Sequence, residues 1–411
     1  MNNTNQKKRC IIIGAGPAGI MAALTAAKNN EVILIERNEE IGKKLKLTGG
    51  GRCNITNNRS IDEFFDKIVT NKKFLYSAFY TFTNENLLNY LKENNLEYKV
   101  EEDNDFKVYT KSDKSDDVIE TFKNNLKKSN VKIKYNTMVK DLIVEENVVK
   151  GIVTESGEKI LGDKVIISTG GKSVPATGSD GAMYEIISKY GHNIKSLYPA
   201  LVPLVIKEGF VKNLQGVSMQ NVVLSAKVKK KKYEIIGDMI FTHFGISGPG
   251  VLKLSSYINK ALQEGEIEVI LDFAQDKSRD EISKKIKENV NKTILNNLKG
   301  LLPGNFLKEI IGLLNLTETK PSELKKEDEL KLVDYIKSMK LTAMETLSIK
   351  AAMVTSGGVN VKEINASTME SKIIQNLYFA GEVIDVDAET GGYNLQIAFS
   401  TGYLAGSHEE F

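Results

Sequence analysis

Apolar and polar positions are unevenly distributed along the 411-residue chain, and the unevenness divides it. Residues 9–14 (RCIIIG) are an apolar run of strand length, Ala18 to Asn29 is an Ala-rich helical stretch, and residues 31–36 (EVILIE) are a second, β-branched strand. Strand, helix and strand within about 30 residues imply parallel pairing and a right-handed crossover. From Ile61 to Leu96 the pattern is helical, with Phe64, Phe65, Phe74, Phe79 and Phe82 at a mixed spacing that suits core packing. The segments VKIKY, MVKDLIVE, VVKGIVTE and KVIIST between 131 and 169 then alternate as strands, with a turn at Ser156–Gly157.

The middle changes character. Short β-like runs separated by Gly and Lys turns fill 201–273, and polar, Lys/Glu-rich helices fill 278–340. Residues 351–406 return to Gly-rich strands and a closing helix. The pattern predicts an α/β protein with one domain made from both ends, 1–190 and 341–411. A β-rich, then helical, insert at 191–340 interrupts it. The run Lys227 to Lys232 reads as a solvated hairpin, because a nucleic-acid surface needs more cations and interleaved aromatics.

Composition narrows the chemistry. Lys and Arg number 56 against 53 Asp and Glu, a net charge of +3 that gives no broad field for nucleic acid or membrane. Arginine is confined to Arg9, Arg37, Arg52, Arg59 and Arg279, so an Arg inside a motif is informative. Cys10 and Cys53 form no CxxC pair, which excludes a disulfide framework and leaves a dithiol centre or Cys-based zinc site unsupported. His192, His243 and His408 show no ligand spacing. Lys7, Lys8 and Arg9 before the uncharged stretch Cys10 to Ala27 imitate a signal peptide or short anchor. The glycines within that stretch and the strand after it assign it to the strand–helix unit instead, and a soluble cytoplasmic protein without membrane contact is expected.

Gly14–Ala15–Gly16–Pro17–Ala18–Gly19 is a GxGxxG placed directly after a strand and opening a helix. Its glycines serve a tight turn, close approach to a pyrophosphate, and close packing of helix on strand. The helix N-terminus offers free N–H groups to phosphate. Glu36, ending the next strand, is placed to accept hydrogen bonds from adenosine ribose hydroxyls. A second stretch, Thr48 to Asn57 (TGGGRCNITN), sets three glycines before Arg52, which is expected to add a charged fork to the phosphates. Asn54 and Thr56 offer neutral contacts, and Cys53 lacks a partner for thiol redox chemistry. A glycine loop so soon after Glu36 suits a cofactor extended across the sheet, as FAD is. Ser168–Thr169–Gly170–Gly171 adds a tight turn on the adenosine side.

A third stretch runs from Tyr378 through Gly381–Glu382 and Asp385 to Gln396. Glu382 is expected beside a ribityl chain, while Gly391–Gly392–Tyr393–Asn394 opens a helix whose N-terminus would favour negative charge on a reduced flavin. The rival reading, a metal held by Glu382, Asp385, Asp387 and Glu389, fits poorly beside phosphate-type turns, and no metal is expected. In the insert, Gly245–Ile246–Ser247–Gly248–Pro249 imitates a hydrolase elbow, but Pro249 stands where the last Gly belongs. His243 is a candidate proton donor, with a structural histidine as the alternative.

These stretches resemble the BaiN-like (YhiN-type) FAD-dependent flavoproteins, a family that includes aminoacetone oxidases and 3-dehydro-bile-acid reductases. The resemblance rests on GAGPAG at 14–19, TGGGRCNITN at 48–57 and GDMIFTHFGISGPGVL at 237–252. It continues through SGGVNVKEI at 356–364, TMESK at 368–372 and LYFAGEVIDVDAETGGYNLQIA at 377–398. Tyr109–Thr110 departs from the family's usual aromatic–Pro pair, and Ala388 from its usual Gly, both outside the phosphate loops. The resemblance implies a glutathione-reductase-type Rossmann domain interrupted by a β-barrel-plus-helices insert. With the residues above, the expected cofactor set is Gly14, Gly16, Pro17, Ala18, Gly19, Glu36, Arg37, Lys44, Gly50, Gly51, Arg52, Asn54 and Thr56. It continues with Val139, Thr169, Gly170, Gly171, Gly381, Glu382, Asp385, Gly391, Gly392, Tyr393, Asn394 and Gln396. The expected activity is FAD-dependent hydride transfer between flavin N5 and a small organic substrate, with NAD(P)H at most a weakly bound reductant. An amine or aminoketone oxidase and an RNA-modifying flavoprotein are the alternatives. No nucleic-acid partner is expected and no oligomeric state is implied.

Overall fold

The computed structural model describes residues 7–407. Its centre is a five-stranded sheet in the order Leu377–Phe379, Lys164–Ile167, Arg9–Ile13, Glu31–Ile35, Lys132–Lys134. Every neighbouring pair is parallel. Parallel strands are covered on both faces, and accordingly Cys10 to Ile13 and Lys164 to Ile167 are buried without interruption.

The first helix, Pro17–Ala26, carries Pro in its first turn, where a missing N–H costs nothing. Each residue from Ala18 to Ala26 is buried, so this helix needs cover all round. The last helix, Tyr393–Ser407, supplies part of that cover at very short range. A Cβ on Gly402 or Gly406 would stand 2.2 or 2.5 Å from the carbonyl oxygens of Ala18 and Ala22. Only glycine lets these two backbones meet.

Val139–Glu145, Val148–Thr154 and Lys159–Leu161 form an antiparallel meander. Its second turn is the expected one, with Gly157 at φ +85 and the Thr154 hydroxyl accepting the Glu158 N–H. The helical expectation for 61–96 holds only in pieces: Ile61–Phe64, Tyr76–Thr81 and Asn84–Glu93 are helical, with a short strand, Ile68–Thr70, among them. Left-handed Asn71 and the Thr83 cap divide the run. All five phenylalanines of this region are buried.

The chain divides into two units. One takes the stretch up to Tyr198 together with that from Val354 onward, and the other is Pro199–Met353. These borders replace the expected ones at 190 and 340. Ile194–Ala200 pairs with Val354–Val359 in a two-stranded sheet, and Met339–Thr346 is a barrel strand. Local patterning identifies a strand but not the sheet it joins.

Within the second unit six strands close an antiparallel barrel in the order Leu204–Ile206, Gly245–Ser247, Lys231–Phe241, Ser218–Val228, Ile267–Asp272, Met339–Thr346. Ile267–Asp272 alternates buried and less buried positions, as period-2 geometry requires. The Lys-rich run is a hairpin: Val228 faces Lys231, and Lys229 turns at φ +55. Helices Arg279–Ile286, Ile294–Leu298, Gly304–Leu313 and Lys326–Lys337 share this unit's core, where Phe241, Phe273 and Phe306 pack together.

Candidate active site

The glycine-rich stretches of the first unit follow the carboxyl ends of its parallel strands, where doubly wound sheets bind ligands. Gly14 donates its N–H to Ile35 O at 2.8 Å, and the Ser168 hydroxyl bridges Ile13 O and Gly14 O at 2.9 Å each. A Cβ on Gly14 would come within 2.7 Å of Ser168 O, and one on Gly19 within 1.9 Å of Gly14 O. Gly16 is different, since no atom lies within 4 Å of its would-be Cβ. The outer glycines seal the turn, and the middle one leaves an open face at the helix N-terminus beside Pro17 and Ala18. A dinucleotide pyrophosphate fits that face.

Glu36 is buried, and its carboxylate accepts the Ala15 N–H at 2.8 Å and both the N–H and side-chain amide of Asn38 at 2.8 and 2.7 Å. The segment leading to buried Val139 runs alongside, with Thr137 N–H on Glu36 O and Asn136 N–H on Asn38 O. Arg37 pairs with Asp180 at 2.6 Å. Thr169, Gly170 and Gly171 turn the chain after Ile167, and the Cβ positions of the two glycines would press on Ser179 and Thr355.

The loop at 48–57 reaches the phosphate turn through its preceding segment, where Gly42 N–H meets Ala15 O at 2.8 Å. Gly50 and Gly51 are left-handed and face open space. Arg52, expected as a fork to phosphate, is engaged otherwise. It pairs with Glu101 at 2.8 Å and Asp113 at 3.2 Å and lies 3.8 Å over the Tyr109 ring. Arg59 is half-buried and paired with Glu63 and Asp105. Cys53 is buried, and burial pushes its thiol up to about 12, which makes it inert.

Beyond Cys53 the loop docks on the last helix. Thr56 donates to Gln396 at 2.8 Å, and Asn57 donates to Gly391 O at 3.1 Å. The Asn54 amide, oriented by its neighbours, donates to Thr56 O and accepts the Gly392 N–H, both at 3.0 Å. Asn394 closes the turn before the helix through the N–H and carbonyl of Ala388. Tyr393 is buried edge-on against Phe64, and burial raises its pKa.

Glu382, next to Gly381, accepts from Lys44 at 2.7 Å, Ser173 at 3.0 Å and the Thr355 N–H at 2.7 Å. Burial opposes its charge. The Lys44 ammonium and these hydrogen bonds outweigh burial and hold its pKa below the usual carboxylate range. The other carboxylates of the segment turn to separate partners: Asp385 to Asn71, Asp387 to Ser356 and Glu389 to Lys67. Ser173, Thr355 and Asn71 escaped the sequence reading. Only their closeness to glycine-rich stretches marked the first two.

In the barrel unit His243 is exposed and edge-on to Phe244, with centroids 5.0 Å apart. Ser247 ends a barrel strand, and Pro249 opens the helix Pro249–Ile258. His192, in the first unit, is buried on Ser371, and burial lowers its pKa. His408 lies outside the described residues. Among the described residues no helix is long and apolar enough to cross a membrane.

A Rossmann-type sheet with this phosphate cradle and a barrel insert defines an FAD-dependent oxidoreductase. The chain belongs to the family of the HI0933-like protein Rossmann domain, which matches residues 8–408. It is similar to a 3-dehydro-bile acid delta(4,6)-reductase of Clostridium scindens, 32% identical over 96% of this chain and 97% of that protein. A ribosomal RNA dihydrouridine synthase of Haemophilus influenzae is 30% identical over 97% and 98% of the two chains. Its Escherichia coli counterpart is 28% identical over 96% of each. In fold the chain resembles 3-ketosteroid delta1-dehydrogenase from Sterolibacterium denitrificans, with TM-score 0.52 and 12% identity over 98% of this chain and 99% of that one.

Proposed function

We propose that this flavoprotein reduces a carbon–carbon double bond conjugated to a carbonyl. The observation that carries the cofactor half is the open face at Gly16 between two sealed glycines, with Glu36 at the end of the next strand. The relatives support the substrate half. A delta(4,6)-reductase of a 3-dehydro bile acid and a dihydrouridine synthase both saturate a double bond near a carbonyl.

FAD, when bound, supplies hydride chemistry at N5. Gly16 and the N–H groups of the first helix would hold the pyrophosphate and Glu36 would take the ribose hydroxyls, while Lys44 fixes Glu382, which would receive the ribityl chain. The amides that open the last helix would favour negative charge on a reduced flavin. His243, exposed on the barrel unit, stays the candidate proton donor. NAD(P)H acts as a weakly held reductant without a domain of its own.

The substrate is a small enone. A uridine within RNA is a second reading, favoured by the two dihydrouridine synthases matched over nearly the whole chain. The test is anaerobic: protein reduced chemically is mixed with a 4-en-3-one steroid, a uridine-containing RNA, and buffer, and flavin absorbance is followed. Reoxidation by the enone supports the proposal, and reoxidation by RNA alone selects the second reading. No acceleration by either defeats both.

A further inference from the structure

We infer that residues 174–181 form a clasp over the adenosine end of the dinucleotide site, locked by Arg37 and Asp180, and that FAD exchanges only when it opens. This rests on the FAD reading of the site.

The segment leaves the sheet after the turn at 168–171 and ends at the helix Ala182–Lys189. Between these points it comes back to the residues directly following Glu36. Asn38 donates its side-chain amide to Thr177 O at 3.1 Å. Arg37 donates to Gly178 O at 3.2 Å and to the Asp180 carboxylate at 2.6 Å. The same Asn38 amide also donates to Glu36, so the ribose acid and the clasp share one residue.

The approach is close. A Cβ on Gly178 would lie 2.9 Å from the Asn38 amide nitrogen and 3.0 Å from Arg37 Cδ. Asp180 is fixed from its other side, accepting the Ala182 N–H at 3.0 Å as the next helix begins. Three features make this a clasp and not a permanent wall. The Arg37 and Asp180 side chains remain 34% and 35% exposed, so water replaces their contact when they part. The segment starts at Val174, a β-branched residue at φ +51, where the left-handed conformation is strained. It ends at Gly181, at φ +82, which turns without strain.

Every locking contact joins protein groups to each other, so the lock guards entry as well as exit. Weakening it raises both the association and the dissociation rate of FAD and leaves their ratio nearly unchanged. A residue that simply touches FAD behaves otherwise, since its loss raises dissociation and the dissociation constant together.

The experiment uses holoprotein loaded with FAD. Release into excess buffer is timed by the fluorescence of free flavin, the dissociation constant is measured by equilibrium dilution, and the association rate follows from the two. Asp180→Asn keeps the acceptor for Ala182 and removes the charge; Arg37→Met removes the donor. Both variants are expected to speed release by about three- to tenfold, and Asp180→Asn to speed uptake by the same factor, as loss of one partly exposed charged hydrogen bond allows. The dissociation constant of Asp180→Asn should stay within about twofold of wild type, and Arg37→Lys, which keeps the ion pair, should exchange close to the wild-type rate. Unchanged release in both Asp180→Asn and Arg37→Met overturns the clasp, as does faster release of Asp180→Asn at an unaltered association rate. A wild-type chain that holds FMN or no flavin overturns the FAD reading and the clasp with it.

Discussion

The Thr56 hydroxyl donates to Gln396 Oε1 at 2.8 Å between two buried side chains 340 residues apart. Gln396 in turn donates to Ser400 and Phe82 O, so its amide is saturated by protein. Thr56→Val keeps the shape and deletes the donor. It leaves an acceptor buried without its partner, at a cost of about 1–3 kcal/mol. Denaturant unfolding should show that loss, with FAD affinity falling as the loop loosens. Wild-type stability would mean that the loop docks without this bond.

The Lys44–Glu382 pair predicts an acid limb. The folded pKa of Glu382 is lowered, so its contribution is complete above the unfolded value of about 4.3 and disappears as pH falls through the folded value. Stability of the wild type should therefore drop more steeply below about pH 4 than that of Glu382→Gln, which has no charge to lose. Parallel acid limbs from paired denaturation curves would contradict this.

The purified protein should be yellow and release FAD, not FMN, because Glu36 and the Gly16 face serve an adenosine half that FMN lacks. Glu36→Gln turns an amide nitrogen toward donors from Ala15 or Asn38. FAD affinity should fall by roughly tenfold or more, the scale of one charged hydrogen bond. Chromatography of the released flavin and titration of the variant check both points.

Reduction by NADH or NADPH should saturate poorly. The insert is a barrel with helices, not a second strand–helix–strand unit. An apparent dissociation constant near about 1 mM is expected instead of about 1 μM, a difference of roughly 4 kcal/mol. Stopped-flow reduction against nucleotide concentration measures it, and tight saturation would reveal a site outside this reading.

Cys10 and Cys53 should resist alkylation in the folded protein. Both are buried, and burial pushes each thiol up to about 12. Mass spectrometry after iodoacetamide at mildly alkaline pH should show no adduct until denaturant is added.

The first strand–helix–strand unit was legible because its signals are local: an apolar run, three spaced glycines, and an acid at the next strand's end. The barrel insert was legible in kind from its short β-runs. The partners of Arg52 were not. Glu101 and Asp113 lie 49 and 61 residues away, and nothing in TGGGRCN says that two carboxylates will reach the guanidinium. The same holds for Arg59, whose Asn/Ser-rich neighbourhood gives no sign of Asp105, 46 residues away. The insert's borders were displaced because Ile194–Ala200 and Met339–Thr346 take their meaning from strands far away in sequence. Glu382 was found through its Gly neighbour, whereas Ser173 and Thr355, which hold it, carry no such mark.

The close meeting of Gly402 and Gly406 with Ala18 and Ala22 bears on the order in which the chain is made. During synthesis the first helix leaves the ribosome before the barrel unit, and the helix that covers it leaves after that unit. The barrel's strands and helices are all translated in between and have their own core. Until the covering helix emerges, the first helix therefore lacks part of its cover. For that interval the nascent chain presents what chaperones bind, and stalling just before residue 393 leaves it so.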